Sequence, residues 1–326
     1  MERILEADEH PEQDWRLSDP RHDAELWRIL YECSPYLEYV SDDALDKRYT
    51  GIINNVHHLV CQLRDARPES AHFVSSWWWL KAKFQTDCEY SRRKRVLPMS
   101  ANLPALPDRE VPYNPPHPNA SNFIVKYGDA SWLEPMLKNG AIRISPASKY
   151  KGEVSETDAA RHDDELNKHR FTSGTDARIT ILRTGRTVPI IGNIRRTVSA
   201  PNYYVLCCSN EFDYRLFSAF KNSQAEAADT CLVIRDVAEF KRRLEIAAQS
   251  RLPGWYYFSG AVEYYDPHNL VVNQLMSAGL SKDFEYAYQR EFRFLWHPLS
   301  HRGATEFFDM NIGSLEDIAE LHHYPK

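Results

Sequence analysis

The sequence predicts an α+β fold, with a helical N-terminal part preceding a sheet-containing part. Three observations lead there. Apolar residues recur at helical spacing through the first hundred of the 326 residues. A proline-rich stretch without periodicity, PMSANLPALPDREVPYNPPHP, follows from Pro98 to Pro118. Beyond it, short strands and helices alternate without a strict strand–helix–strand rhythm, which argues against a doubly wound sheet. The division read from this is a helical domain over 1–97, a linker over 98–120 and an α+β domain over 121–326.

The first helix begins at Ser18-Asp19-Pro20 and carries an apolar stripe at Leu26, Ile29 and Leu30, until Pro35 breaks it. Ser41-Asp42-Asp43 caps a second helix, whose stripe is Ile52, Val56, Leu59 and Leu63 and which Pro68 ends. A third runs from about Glu69 to Tyr90 and contains Trp77-Trp78-Trp79. Two readings of these indoles stand open: an aromatic seam against the rest of the protein, or base stacking beside Lys81, Lys83 and the run Arg92 to Arg95.

After the linker, Asn122 to Tyr127 reads as a strand. Ala130 to Lys138 reads as a helix stopped by Asn139-Gly140, and Ala141 to Ser145 as a strand. A long polar region leads to a hairpin, Arg178 to Leu182 and Val188 to Ile191, turning at Gly185. Tyr203 to Ser209 is short, apolar throughout and bounded by turn residues, as a buried strand would be. A helix over Phe212 to Phe220, a strand over Cys231 to Ile234 and a helix over Val237 to Gln249 come next. Trp255 to Tyr264, Phe292 to Trp296 and Thr305 to Met310 read as strands. GSLEDIAELHH reads as a terminal helix capped by Ser314.

Hydrophobic residues make up 43% and charged residues 26% of the chain, which suits a protein with a packed core. The net charge of -6 gives no whole-surface attraction to nucleic acid, although a local basic patch remains open. No apolar run approaches the roughly 18 residues of a membrane span, and the acidic start lacks a secretory pattern. Neither a G-x-G-x-x-G nor a P-loop is present. The six cysteines show no C-x-x-C spacing and read as reduced, mostly buried thiols of a cytoplasmic protein. The adjacent pairs His57-His58 and His322-His323 lack the spacing of zinc ligands, so no metal site is expected.

Three places carry candidate chemistry. At the end of the strand over Ala141 to Ser145, Ser145 offers a hydroxyl and Tyr150 a ring face for a flat ligand; the alternative is a simple turn with Tyr150 packed on its rim. In the run Arg161-His162-Asp163-Asp164-Glu165, Arg161 offers a fork of donors to a pyrophosphate, with Asp163 or Asp164 orienting it; the alternative is a solvated charged segment. If Phe292 and Phe294 point inward, Glu291 and Arg293 share the other face of their strand. The Glu291 carboxylate then stabilises a developing cation or holds a sugar hydroxyl, or else the two residues are an exposed ion pair of small value.

Several segments, in this order, resemble bacterial proteins of the ADP-ribosyltransferase-like fold that are associated with toxin and phage-defence loci. They are KYGD (Lys126 to Asp129), LKNG (Leu137 to Gly140), IRISPASKY (Ile142 to Tyr150), ARHDDEL (Ala160 to Leu166), VLCCSNEFDYRLFSAF (Val205 to Phe220) and YQREFRFLW (Tyr288 to Trp296). The resemblance covers the chain from about Asn122 onward. It implies a split mixed β-sheet with flanking helices, and NAD as the substrate cleaved. It also implies a protein or nucleic-acid acceptor and an antitoxin partner; no membrane partner is expected, for want of an apolar span. The second-strand tyrosine of that superfamily falls on Tyr150 and the late-strand glutamate on Glu291. Its first-strand His or Arg falls near Lys126-Tyr127, where this chain has neither, so Tyr127 or Arg161 stands in. Ser145, Asp164 and Arg293 complete the implied NAD-binding set. The alternative is a catalytically inactive sensor that binds nucleotide or nucleic acid.

Overall fold

The computed structural model describes residues 20–64, 76–98, 123–151, 163–174, 177–220, 228–268, 277–299 and 303–324. The proposed linker lies almost wholly outside them, as do Arg161 and the side chain of Trp77.

Helices α1 (Pro20–Cys33), α2 (Asp42–Arg64) and α3 (Ser76–Arg92) form the N-terminal bundle. The Ser41 hydroxyl caps α2 by accepting from the Ala44 amide at 3.3 Å. On α1 the buried face is Trp27 and Tyr31, one turn apart, rather than the expected stripe: Ile29 and Leu30 stay 45% and 47% exposed. Aromatic area outweighs the aliphatic pattern here, and the Tyr31 hydroxyl also donates to Glu89 at 2.5 Å. The basic end of α3 closes the bundle. Arg92 and Arg93 hold Glu89, Arg93 also reaches the Leu37 carbonyl, and Arg95 binds Asp46. These three arginines serve packing at the end of α3.

The bundle shares a core with the rest of the protein. Trp78 and Trp79 lie with ring centroids 5.7 and 5.8 Å from that of Phe284, in a 3-10 turn spanning Phe284–Gln289. Arg48 of α2 forms a buried bidentate pair with Asp266 at 2.7 and 2.8 Å. The Asn55 amide caps the turn by donating to the Glu285 carbonyl at 2.9 Å. Gly51 permits this approach: a Cβ there would sit 2.9 Å from the Glu285 Cβ.

The main sheet is built from β1 (Ile124–Gly128), β2 (Ala141–Pro146), β7 (Tyr204–Ser209), β8 (Thr230–Ile234), β9 (Trp255–Ala261), β12 (Glu291–Pro298), β13 (Phe308–Asn311) and β14 (Ala319–His323). Its path runs β13-β2-β7-β1-β8-β14, with β12 also pairing β7 and β9 lying outside β12. Every pairing in it is antiparallel. The expectation of a mixed sheet is thus corrected; among the described residues the one parallel pair is the short β10 (Glu263–Tyr265) with β11 (Ser281–Asp283), outside the main sheet.

Helix α4 (Ala130–Asn139) links β1 to β2 and ends at Gly140 with φ 65°. A side chain there would strike the Gly313 backbone at 2.0 Å, so glycine is required twice over. α4 and α6 (Val237–Gln249) bury Leu133, Met136, Phe240 and Leu244 against one face of the sheet, around Ile144, Leu232 and Phe294. The short α5 (Tyr214–Ala219) covers the other face through Leu216 and Phe217, against Val125 and Val233.

The terminal helix is a further correction. Ser314 does begin a turn, accepting from the Glu316 amide at 3.3 Å. From Ala319 onward, however, the chain becomes β14 and pairs in register with β8, so edge pairing overrides helical propensity. The long polar region also holds strands. β3 (Asn167–Ser173) and β6 (Asn193–Ser199) pair over seven residues, and the β4–β5 hairpin (Ile179–Ile181, Arg186–Val188) continues from them. The result is a two-stranded arm built from residues 167–174 and 177–199, rooted immediately before β7.

Candidate functional site

The site begins with a fork in strand pairing. β12 pairs with β7 along its whole length, from Tyr204 to Ser209. On the opposite edge of β7, β2 reaches only Tyr204 and Val205, and β1 only Ser209. β1 and β2 diverge, and Leu206, Cys207 and Cys208 face the gap between them. The Lys126 ammonium spans it, donating to the Cys207 carbonyl at 2.8 Å where a ladder bond would otherwise fall.

The gap opens into a cleft of about 380 Å³ roofed by α4. Tyr127, Ser145, Tyr150 and Glu291 all line it, with Lys126, Trp132, Glu165 and Lys282. Four of the seven residues singled out from sequence therefore share one cavity although they come from three segments. Tyr150 reaches it from the 3-10 turn Ala147–Tyr150 that follows β2. Glu291 is the first residue of β12, set by Arg290 in the left-handed region (φ 46°) and by its own amide donating to the Tyr264 hydroxyl at 2.9 Å.

Glu291 is buried in a cationic frame. Lys282 donates to its Oε1 at 2.5 Å and Arg293 to its Oε2 at 2.7 Å. Burial pushes the carboxyl up, but Arg293 and Lys282 outweigh it and hold the group below the usual carboxylate range. Arg293 is fully buried. It binds Glu165 through two further bonds of 2.7 and 2.8 Å and gives one more, at 2.9 Å, to the Gly279 carbonyl. Lys168 adds ion pairs to Asp163 at 2.8 Å and to Glu165 at 3.5 Å. Three carboxylates thus face three cations, and the network is neutral as a whole. Lys282 also donates to the Gln289 side chain at 2.9 Å; burial lowers its proton affinity, but Glu291 and Glu165 more than restore it.

The other predicted residues fall elsewhere. Arg293 stands behind Glu291, with its donors committed to protein acceptors. Asp164 is turned to Lys151 and Asn167, at 2.9 and 3.1 Å, and does not line the cleft. Arg161 lies outside the described residues. Tyr127 borders the cleft, but its hydroxyl donates to the Glu211 carbonyl and accepts from the Asp213 amide, at 2.9 and 2.8 Å. Its ring stacks on Phe220.

Sequence reasoning missed Lys126, Trp132, Glu165 and Lys282. Glu165 closes the charged run already noted, and Lys126 sits beside Tyr127 in KYGD. For Lys282, in SKDFEY, no local pattern distinguishes it from a surface lysine. Cys207 and Cys208 line the cleft as well. Burial pushes their thiols up to about 12 and about 11, so they stay protonated at neutral pH and are unsuited to nucleophilic attack.

The arrangement offers a buried, ionised carboxylate held at both oxygens, in one cleft with a tyrosine ring, a hydroxyl and an ammonium. It suits stabilisation of a developing positive charge rather than proton abstraction, since a carboxyl this acidic is a weak base. No family model, curated protein or solved structure matches this chain.

Proposed function

We propose that the protein is an NAD-dependent ADP-ribosyltransferase working in the forked cleft, an effector of toxin or phage-defence type that modifies a protein or a nucleic acid. The observation carrying this reading is that Tyr150 and Glu291, drawn from segments far apart in the chain, line one cavity together with Ser145. The cavity volume of about 380 Å³ suits the nicotinamide-ribose half of the substrate.

The chemistry follows from charge. The bond between the ribose C1′ and the nicotinamide nitrogen breaks, and its electron pair leaves with the ring, which becomes neutral. The ribose carries the positive charge until the acceptor's nucleophile bonds to C1′. Glu291 accepts a hydrogen bond from the 2′-hydroxyl and lies where that cation develops, as carboxylates do in glycoside chemistry. Tyr150 stacks on the nicotinamide, Ser145 binds its amide, and Lys126 meets the diphosphate. Lys282, Arg293 and Glu165 keep Glu291 ionised and in place, so little reorganisation is needed in the transition state. Titrating the protein with NAD while following free nicotinamide tests this reading; absence of both binding and release, with cell extract supplied as a source of acceptors, contradicts it.

A second reading is a sensor that retains the cleft without the chemistry. It is favoured by Tyr127, whose hydroxyl is committed to two backbone groups where relatives of this fold would carry a ribose-binding His or Arg. NAD binding without nicotinamide release would select it.

A further inference from the structure

The arm from β3 to β6 is a second feature with chemical content, separate from the cleft residues. Between Ala177 and Asn210 the chain contains no Asp or Glu, while Arg178, Arg183, Arg186, Arg195 and Arg196 fall within it. In a protein of net charge -6 this is a concentrated departure. All five arginines are exposed, and among the described residues none of them donates to a carboxylate; Arg195 meets the ring of His169 instead. Thr180, Thr184, Thr187 and Thr197 are exposed between them. At the turn, beside Arg183, Leu182 is 95% exposed, and Ile179 and Ile181 of β4 are exposed too. All three residues of β4 are open to solvent, so the hairpin covers no core of its own. A two-stranded ribbon of this kind is marginal in water and gains from a covering partner.

We infer that this arm docks on duplex DNA. Like-signed guanidinium groups repel one another, and a phosphodiester backbone is the polyanion that offsets this with forked hydrogen bonds. Arg195 and Arg196 are consecutive in a strand and project from opposite faces, so both faces of the ribbon are cationic. A membrane surface calls for one charged and one apolar face; a groove between two phosphate chains calls for charge on both. The major groove of B-form DNA admits a two-stranded ribbon, whereas the deep, narrow major groove of A-form RNA does not. The arm is anchored at the cleft: the Ala200 amide donates to the Leu166 carbonyl at 2.9 Å, next to Glu165. A docked duplex therefore lies near the cleft mouth.

Binding of a fluorescent duplex DNA two helical turns long, followed by anisotropy without NAD, tests the arm independently of the cleft chemistry. Binding should weaken steeply with salt. The variant Arg183→Gln/Arg186→Gln/Arg195→Gln/Arg196→Gln should lose at least about tenfold in affinity, and the log–log salt slope should shrink by about 0.9 for each phosphate no longer neutralised. Arg242→Gln/Arg251→Gln, on α6 and the turn after it, should leave both unchanged. Circular dichroism checks that the quadruple variant is folded, and Arg183→Glu, at the exposed turn, gives the same reading with one change. Absent binding, equal affinity in the arm variants, or tighter binding to duplex RNA or to phosphatidylserine vesicles would overturn the inference.

Discussion

Arg293 grips Glu165 with two parallel hydrogen bonds of 2.7 and 2.8 Å, and both side chains are buried. The two residues are 128 positions apart, so the pair ties the chain before the arm to strand β12. Breaking one side of a buried pair strands the other charge. Glu165→Gln should therefore destabilise the protein by about 3–5 kcal/mol, read from urea unfolding. A loss within the range of a surface substitution would show that the network is not closed to water.

Lys282 sets the ionisation of Glu291 from the other side. Lys282→Met removes a cation 2.5 Å from Oε1 and lets burial push the carboxyl upward. The acid limb of the pH–rate profile should then move to higher pH, because Glu291 acts only when ionised. A profile unchanged in position with a lowered maximum would indicate a purely structural role for Lys282.

Carboxylates in the protein divide by the sign of their pH linkage. Arg48 opposes the effect of burial on Asp266 and holds it below the usual range; Glu291 is depressed too. Their stabilisation is complete above the ordinary carboxylate range and disappears as pH falls through their lowered values. Asp283 is the reverse: burial, then the Glu285 carboxylate, raises it well above its usual value. Its contribution is present in acid and is lost as pH rises through that raised value. Asp283→Asn keeps the acceptor for the Glu285 amide. It should raise the melting temperature at neutral pH and give little change near pH 4, in the ordinary carboxylate range. A lower melting temperature at neutral pH would contradict this assignment.

Arg48 and Asp266 fasten the helical bundle to the segment that positions Glu291. Arg48→Met leaves Asp266 buried without its cation and should cost about 3–5 kcal/mol. Limited proteolysis should then detect cleavage between α2 and α3 sooner than in the wild type. Unchanged stability would mean that the Trp79–Phe284 seam and the Asn55–Glu285 bond hold the bundle without this pair.

Much of the element order was legible because it is written locally. YYVLCCS reads as a buried strand, Asn139-Gly140 stops a helix, and Glu291 and Arg293 share a face by strand periodicity. What escaped depends on distant partners. The segment ELHH becomes β14 because β8 offers an edge, and nothing in its own residues says so. β3 and β6 lack the alternation of a half-buried strand, since the arm they form has little core to cover. The side of α1 that is buried follows the aromatic residues rather than the aliphatic count. The cleft could be anticipated as a meeting of Tyr150 and Glu291, but its cationic frame could not, because Lys282 gains its meaning only through Glu291 and Glu165 only through Arg293.

Whether Glu291 stabilises a ribose cation in the forked cleft is decided most directly by the rate of nicotinamide release from NAD. Wild type and Glu291→Gln would be compared at matched folded concentration. The wild type should release nicotinamide, and the variant should be slower by at least about 100-fold, the scale of one removed electrostatic stabiliser. Release at the wild-type rate by Glu291→Gln would contradict this role.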